Sequence, residues 1–544
     1  MFLRVDEVFS FIGDCGFQQV IYFIAINILH GWCSFHQILT IFTGLEPSFT
    51  CFAKDGSGEK LVNHCFNNSI ASCRIAYDAP QFKSFAMEWN LICNHKFRVA
   101  VVQSVWMGGV MTGALLLGGV ADRIGRLKTL MMALLGTICF EGFSAFSQDY
   151  YMMLVLRYLG GVCMAVVILV SFVLSQELLG TSKRSICGIM TGGFFAIGIG
   201  LLSGLAASVD DWRVLTLATS LSGIVFLIMP FILPESPRWL VSQGRMKEAK
   251  AILEHIALQN GTADKLPSRW DMAAEKGKDK SKDKKAAGLH DLASHPYVLM
   301  LTLIQLYSWF VNSATYYGLT MAAGEIGSNV YTSTALSGLV EIPAYLLACS
   351  VVNRIGRRLT LCGFMVFGGS ACILIQLIPP QYQSVTTSLA LCGKLSIAAS
   401  FSVIYIHSAE IFPTVIRNSG MGIVSVAARV GGIMAPFIIM LGDYIPNLQF
   451  SFLGLMTVSA GLLNMKLPET MGRPMPETID DILALRTTEG PGVHTSTDGK
   501  YSRLEQTEED EEVGFDHQNG SEQQEGVRTR SPGIIFDNEP LIYK

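Results

Sequence analysis

Twelve stretches of about 20 apolar residues punctuate the chain, near residues 17–42, 99–120, 129–147, 152–176, 186–208, 214–233, 297–321, 331–352, 359–379, 386–411, 419–442 and 448–467. A helix rising about 1.5 Å per residue needs that length to cross a hydrocarbon core roughly 30 Å thick. Each stretch therefore predicts a membrane-spanning helix. The polar segments between them are short except at 45–97, 234–295 and beyond 468. A hydrophobic content of 50%, a charged content of 15% and a mean hydropathy of +0.40 strengthen that picture, giving an all-α membrane protein.

Lys and Arg resist translocation, so their placement orients the helices. Arg123, Arg126 and Lys128 lie between segments 2 and 3, Lys183 and Arg184 between 4 and 5, and Arg354, Arg357 and Arg358 between 8 and 9. The loops around Gln148, Glu325, Gln381 and Asp443 carry neither residue, and the one at Asp210 has Arg213 at its edge. The expectation is a multi-pass protein of the plasma membrane with both termini in the cytoplasm. The opening MFLRVDEVFSFIGDCG places acids ahead of the first apolar stretch and lacks a small-residue cleavage site, which argues against a removable signal peptide.

In that topology residues 45–97 face outward. They hold Cys51, Cys65, Cys73 and Cys93 and a glycosylation sequon at Asn67, predicting one glycan and two disulfides with three possible pairings. The other nine of 13 cysteines lie mostly in or beside the apolar stretches, as small apolar side chains. On the inner side, the run KGKDKSKDKK at 276–285 predicts a solvated, partly disordered loop with no nucleic-acid role, and EEDEE at 508–512 a disordered tail. Asn260 and Asn519 match the sequon on the cytoplasmic side and are expected to stay bare.

The chain also repeats itself. ADRIGRLKTL at 121–130 returns as VNRIGRRLTL at 352–361, placing Arg123 and Arg354 231 residues apart. Glu177 to Glu410 and Arg184 to Arg417 are each 233 apart, and Pro234 to Pro468 is 234. Motifs at a nearly fixed offset predict a duplication: an N-terminus at 1–16, a six-helix half at 17–233, a loop at 234–295, a second half at 296–467 and a tail at 468–544. Two parallel six-helix halves flanking a midplane site are the plan of the major facilitator transporters, which rock one half against the other. In the turn itself, Gly118 and Gly125 permit close helix approach and a tight bend, Asp122 can face a helix N-terminus, and Arg126 can reach Glu177. The second copy supplies Gly356, Arg357 and Glu410 in the same places. These residues are expected to gate, and Asn353 in place of Asp122 points to the first copy as the stronger gate.

From about residue 6 to 470 the chain resembles solute carrier family 22, the organic cation, carnitine and anion transporters of the major facilitator superfamily. The resemblance rests on the cysteine-bearing first loop, ADRIGR, LPESPRWLVSQGR, YYGLT, SGLVEIPAYL and SAEIFPTVIRNSG. PESPRWL and the doubled RxGR also resemble sugar porters, which usually carry a double Gln early in the seventh helix; the single Gln305 here favours family 22.

Substrate chemistry is expected from polar groups inside the spans, where they are costly and kept for function. Trp309, Asn312 and Tyr316 are spaced to share one face of the seventh helix. Aromatic pairs hold cations by about 0.5–2 kcal/mol each, and the resemblance implies that this Trp and Tyr line the cavity. Glu341, two residues before Pro343, Lys394 and Arg429 are the buried charges of the second half. Cation-selective relatives place an acid where Arg429 stands and carnitine- or anion-type relatives a base, so the chain departs from the cation pattern. Glu341 for a positive group and Arg429 for a carboxylate together predict a zwitterion such as a betaine, a carnitine-like compound or an amino-acid derivative. The competing reading of these charges is an internal pair of Glu341 with Lys394 or Arg429. Glu141 is expected near the outer surface without a role, and His407 as a packing histidine.

The predicted function is secondary transport of small organic ions by a chain working as a monomer, with an organic cation transporter or a sugar-porter-like facilitator as alternatives. No phosphate-binding loop occurs, which argues against ATP-driven pumping by this chain and leaves facilitation, exchange, or coupling to sodium or protons. No cofactor is implied. Neither a metal-ligand cluster nor a nucleophile elbow suggests an enzyme, and the asymmetric charges of the two halves argue against a channel.

Overall fold

The computed structural model describes residues 2–482 except 55–58, 67–68, 79–80, 268–269, 273–294, 327–328, 380, 414–415, 474 and 477–480. Asn67, Asn519, the run at 276–285 and the acidic block at 508–512 lie outside the described residues.

All twelve apolar stretches are helical. In the first half they form α2 (Phe17–Ile38), α3 (Phe97–Leu117), α4 (Arg126–Ser144), α5 (Tyr150–Glu177), α6 (Arg184–Ala207) and α7 (Trp212–Leu221). Ten of the spans are long and apolar enough to cross a membrane, and Phe17–Thr43 passes the same test together with the short helix α1 (Val5–Ile12), bent 113° from it. The sixth span is irregular: α7 tightens into a 3₁₀ stretch at Ser222–Ile228 before a last turn at Met229–Ile232.

Two segments that the sequence presents as polar loop or terminus are ordered helix. Within 234–295, Pro237–Ser242 is helix α8 and Met246–Gln259 is helix α9. Their signal is local: Ser236 caps α8 by accepting from Trp239 N, with Pro237 at the first turn. In α9, Ala249, Leu253, Ile256 and Ala257 repeat at helical spacing and are buried. Helix α1 answers with Val5, Val8, Phe9 and Ile12 on one face. Strand β1 (Phe2–Leu3) then runs parallel to Asp271–Met272, pinning the start of the chain beneath the first half.

The second half comprises α10 (Pro296–Ile326), α11 (Val330–Leu339), α12 (Glu341–Ile355), α13 (Arg357–Ile375), α14 (Gln383–Ile411), α15 (Arg417–Ile439) and α16 (Leu448–Asn464). Its eighth span is two helices because the ladder breaks at Val340, ahead of Pro343, which has no N–H to give. One buried apolar cluster draws on residues from Leu3 to Met272 and another on residues from Val298 to Ala460, so the duplication produces two cores. In the first, α3 and α5 cross at backbone contact: a Cβ on Gly109 would sit 2.2 Å from the Tyr158 carbonyl, and one on Gly161 2.4 Å from that of Trp106.

The 45–97 segment folds as a small three-stranded antiparallel sheet, with Phe49–Ala53 between Lys60–Val62 and Cys73–Tyr77. Of the three pairings the cysteines allow, the structure forms Cys51–Cys73 and Cys65–Cys93. This disulfide end lies opposite the end that carries the two RxGR turns.

Candidate functional site

The duplicated turns build the same construction twice. Gly125 and Gly356 adopt φ +114° and +99°, a region other residues rarely enter, so each turn depends on glycine. The next residue opens a helix whose free N–H groups need an acceptor. Glu235 supplies it for α4, accepting from Arg126 N at 2.9 Å and Leu127 N at 3.2 Å. Glu469 does so for α13, accepting from Arg357 N at 2.8 Å and Arg358 N at 3.0 Å. Burial raises the Glu469 pKa, but hydrogen bonds from the Met471, Arg357 and Arg358 N–H groups outweigh it and hold the carboxyl below its ordinary range. These two acids follow the repeated Leu-Pro pair, a register that marks them once the offset is known.

The residues expected to gate fall around these caps. Arg126 forks onto Glu177, with both bonds at 3.1 Å, and Arg357 onto Glu410 at 3.1 and 3.3 Å. Asp122 does not face the α4 N-terminus, where Glu235 stands; it pairs with Arg126 at 2.7 Å, one helical turn on, and is 70% exposed. Arg184 donates to the Gln176 and Leu179 carbonyls and reaches Asp6 of α1 at 3.3 Å, while Arg417 donates to the Phe412 carbonyl. Gly118 ends α3 against Leu169. Arg123 and Arg354 point outward, exposed.

In the second half Trp309, Asn312 and Tyr316 do share a face, and it is turned to α14. Trp309 donates to Ser408 at 2.9 Å and packs edge-on to Tyr405; Ser400 donates to Asn312 at 2.7 Å. The Tyr316 hydroxyl donates to Glu341 at 2.7 Å. Glu341 is fully buried and its two oxygens also take Lys394 at 2.9 Å and the Tyr345 hydroxyl at 2.9 Å. It opens α12, where the helix dipole favours a negative charge. Of the two partners considered for Glu341, the structure selects Lys394. Arg429, half-buried on α15 within electrostatic reach of Tyr317, has no carboxylate at ion-pair distance among the described residues. His407 packs as expected, its Nε2 3.0 Å from the Pro468 carbonyl. Asn260 is engaged too, accepting from Gln18 N at 2.9 Å.

One centre departs from the sequence expectation. Glu141 is not near the surface: it is 0% exposed in the first core, 2.7 Å from Arg157, and accepts from Trp106 Nε1 at 2.8 Å. His36 stands 3.8 Å from the same carboxylate. The sequence holds a signal for it, because Glu141 and Arg157 flank the short loop at Gln148 at similar distances, and a helical hairpin brings such residues to the same depth.

The halves meet toward the disulfide end. Lys96, at the start of α3, reaches Asp443 of the second half at 2.6 Å and Glu46 of its own half at 2.9 Å. Ser104 donates to the Ile433 carbonyl at 2.7 Å, the Gln37 amide bonds the Tyr317 hydroxyl, and Phe42 stacks on Tyr331.

Comparison with known proteins agrees with this architecture. The family described as "Sugar (and other) transporter" matches residues 58–481. A "Solute carrier family 22 member 15-like" protein of Xenopus laevis is 35% identical over 88% of this chain and 96% of its own. An "Organic cation transporter protein" of Drosophila melanogaster is 34% identical over 88% and 94%, and the human "Organic cation/carnitine transporter 2" 30% identical over 88% and 94%. Among solved structures, the inward open xylose transporter XylE of E. coli superposes with a TM-score of 0.59 at 17% identity, covering 86% of this chain and 99% of that one. The chain is thus a multi-pass membrane transporter of the major facilitator fold and belongs to the sugar (and other) transporter family, among its solute carrier family 22 members.

Proposed function

We propose that the protein carries small organic ions across the plasma membrane by alternating access, and that its substrates are zwitterions with a carboxylate and a positive group. The observation that carries this reading is Arg429. Two other cations inside the spans, Arg157 and Lys394, each hold a carboxylate, whereas Arg429 lies within electrostatic reach of Tyr317 with no carboxylate at ion-pair distance among the described residues. A planar guanidinium suits bidentate capture of a carboxylate. The Tyr316 ring already carries the Lys394 ammonium, 3.2 Å from its centroid, while Tyr317 and Phe401 packed against Tyr316, and Tyr405 packed against Phe401, supply further rings for a quaternary or protonated amine. Glu341 assists if the substrate's positive group competes with Lys394 for it. The human relative's name, an organic cation/carnitine transporter, supports the same class of compound.

In this reading the disulfide end and Asn67 face outward, with Asn67 glycosylated, and both termini and the RxGR turns lie in the cytoplasm. The paired Arg126–Glu177 and Arg357–Glu410 forks act as gates at the inner mouth. The test is uptake of three labelled probes, a quaternary cation, a carboxylate anion and a betaine-like zwitterion, with and without external sodium. The expected result is preference for the zwitterion, shifting toward the cation in Arg429→Asp. Equal uptake of the cation by both forms would remove Arg429 from the site.

A further inference from the structure

We infer that His36, set against Glu141 in the first half, is a proton-binding site whose occupation favours opening of the disulfide end. This rests on the reading of the chain as an alternating-access transporter, and it names the proton as a coupling ion and the N-terminal half as its place of binding.

His36 is 0% exposed, and neither ring nitrogen has a hydrogen-bond partner among the described residues. Its Nδ1 points at the Glu141 oxygen that Arg157 already holds, 3.8 Å from the imidazole and 2.7 Å from the guanidinium. Trp106 occupies the other oxygen. A neutral imidazole here leaves a donor and an acceptor unpaired in a dry interior, the arrangement native proteins avoid unless a ligand or function accounts for it. A proton makes donors of both ring nitrogens and puts a positive charge beside the carboxylate that Nδ1 faces. The other ionisable groups around the ring are few. Helix α4 brings Glu141, and α5 brings Arg157 with Cys163 near Glu141. Helix α3 contributes the neutral Trp106 and Gln103. Farther along α2, His30 is bonded to Ser171. On α6 the ionisable groups are Arg184 and Cys187 at the opposite end, and Arg213 of α7 is held by Glu88. The second half brings the Tyr317 hydroxyl to Gln37.

The link to opening is physical contact. Arg157 also donates to the His36 carbonyl at 3.3 Å and to Thr40 at 3.1 Å, and Gln103 donates to the Gln37 carbonyl at 2.9 Å. These bonds fix the segment whose Gln37 and Phe42 grip Tyr317 and Tyr331 across the halves. Tyr317 in turn packs edge-on to Tyr316, the donor to Glu341. A protonated His36 sets a second positive charge against the one carboxylate oxygen that Arg157 holds, and the excess charge in this dry site drives Arg157 off the His36 carbonyl and Thr40, loosening residues 37–42 and with them the closure. A proton arriving from the disulfide end then loads the form that is open on that side.

The experiment uses the full chain carrying Ser104→Cys, a position sealed against Ile433, in expressing cells with surface protein quantified. Labelling by an impermeant maleimide from the outer face is compared at pH 6.0 and 7.5, normalised to a free thiol and to the chain without the added cysteine. Acid is expected to raise labelling severalfold in Ser104→Cys and to leave it flat in Ser104→Cys with His36→Gln. A pH-independent Ser104→Cys chain overturns the proposal by itself, whether or not a His36 variant folds. An undiminished pH response in the double variant overturns it as well. Because the readout needs no substrate, failure of all three uptake probes with this response intact would remove the zwitterion reading and leave the proton site standing.

Discussion

The two halves share their turns and differ in their buried charges. At the RxGR end, a positive-φ glycine, an arginine fork on a glutamate and a Pro-Glu cap recur with nearly equal distances. Inside the bundle the first half places Glu141 and Arg157 on its third and fourth helices, whereas the second places Glu341 and Lys394 on its eighth and tenth. Features retained in both copies are those that shape the turn and cap the helix after it. Those found in one copy mark specialised work.

The contrast can be tested from its largest expected effect downward. Arg157→Met strands Glu141 with Trp106 and an unbonded histidine, and should cost roughly 3–5 kcal/mol, read as a large fall in melting temperature of the purified protein; Glu141→Gln with Arg157→Met should recover much of it. Lys394→Met should cost less, about 2 kcal/mol, because Glu341 keeps two tyrosine hydroxyls and a helix N-terminus. Equal losses would mean that the two centres are equivalent after all. Glu410→Gln should slow uptake about tenfold, corresponding to some 1.4 kcal/mol, and more than Glu177→Gln does, because Arg126 keeps Asp122 while the matching position in the second copy is Asn353. Lys96→Ala removes an ion pair between the halves and should raise labelling of Ser104→Cys about threefold at neutral pH, in keeping with the modest worth of a part-exposed pair, about 1 kcal/mol or less. Asp122→Asn should change uptake by less than about twofold, since its carboxylate is largely in solvent. A larger effect would restore the first turn as the dominant gate.

What is legible in the sequence follows the range of each interaction. Spans, turns and the halves are readable because apolar length, glycine and offset are properties of one stretch or of two copies of it. The four cysteines announce two bridges, but the pairing depends on the sheet that sets Cys51 beside Cys73. The helices α1 and α9 escape notice because their apolar stripes are short and lie in polar surroundings, where only burial against each other gives them meaning. Glu141 is hard to place for a related reason: a lone acid in an apolar span reads as surface until a partner 16 residues away, across a turn, is brought to its level. Arg429 stands out by its position on the eleventh span, yet that it is left without an acid while Lys394 takes Glu341 is a fact of packing.

The strand pairing of Leu3 with Met272 bears on the chain as a mechanical object. It anchors the polypeptide to the first half as far as Met272, and helix α10 begins at Pro296. The covalent link between the two apolar cores therefore runs between Met272 and Pro296. With a core of its own in each half, the transporter should keep working as two co-expressed polypeptides divided between Met272 and Pro296.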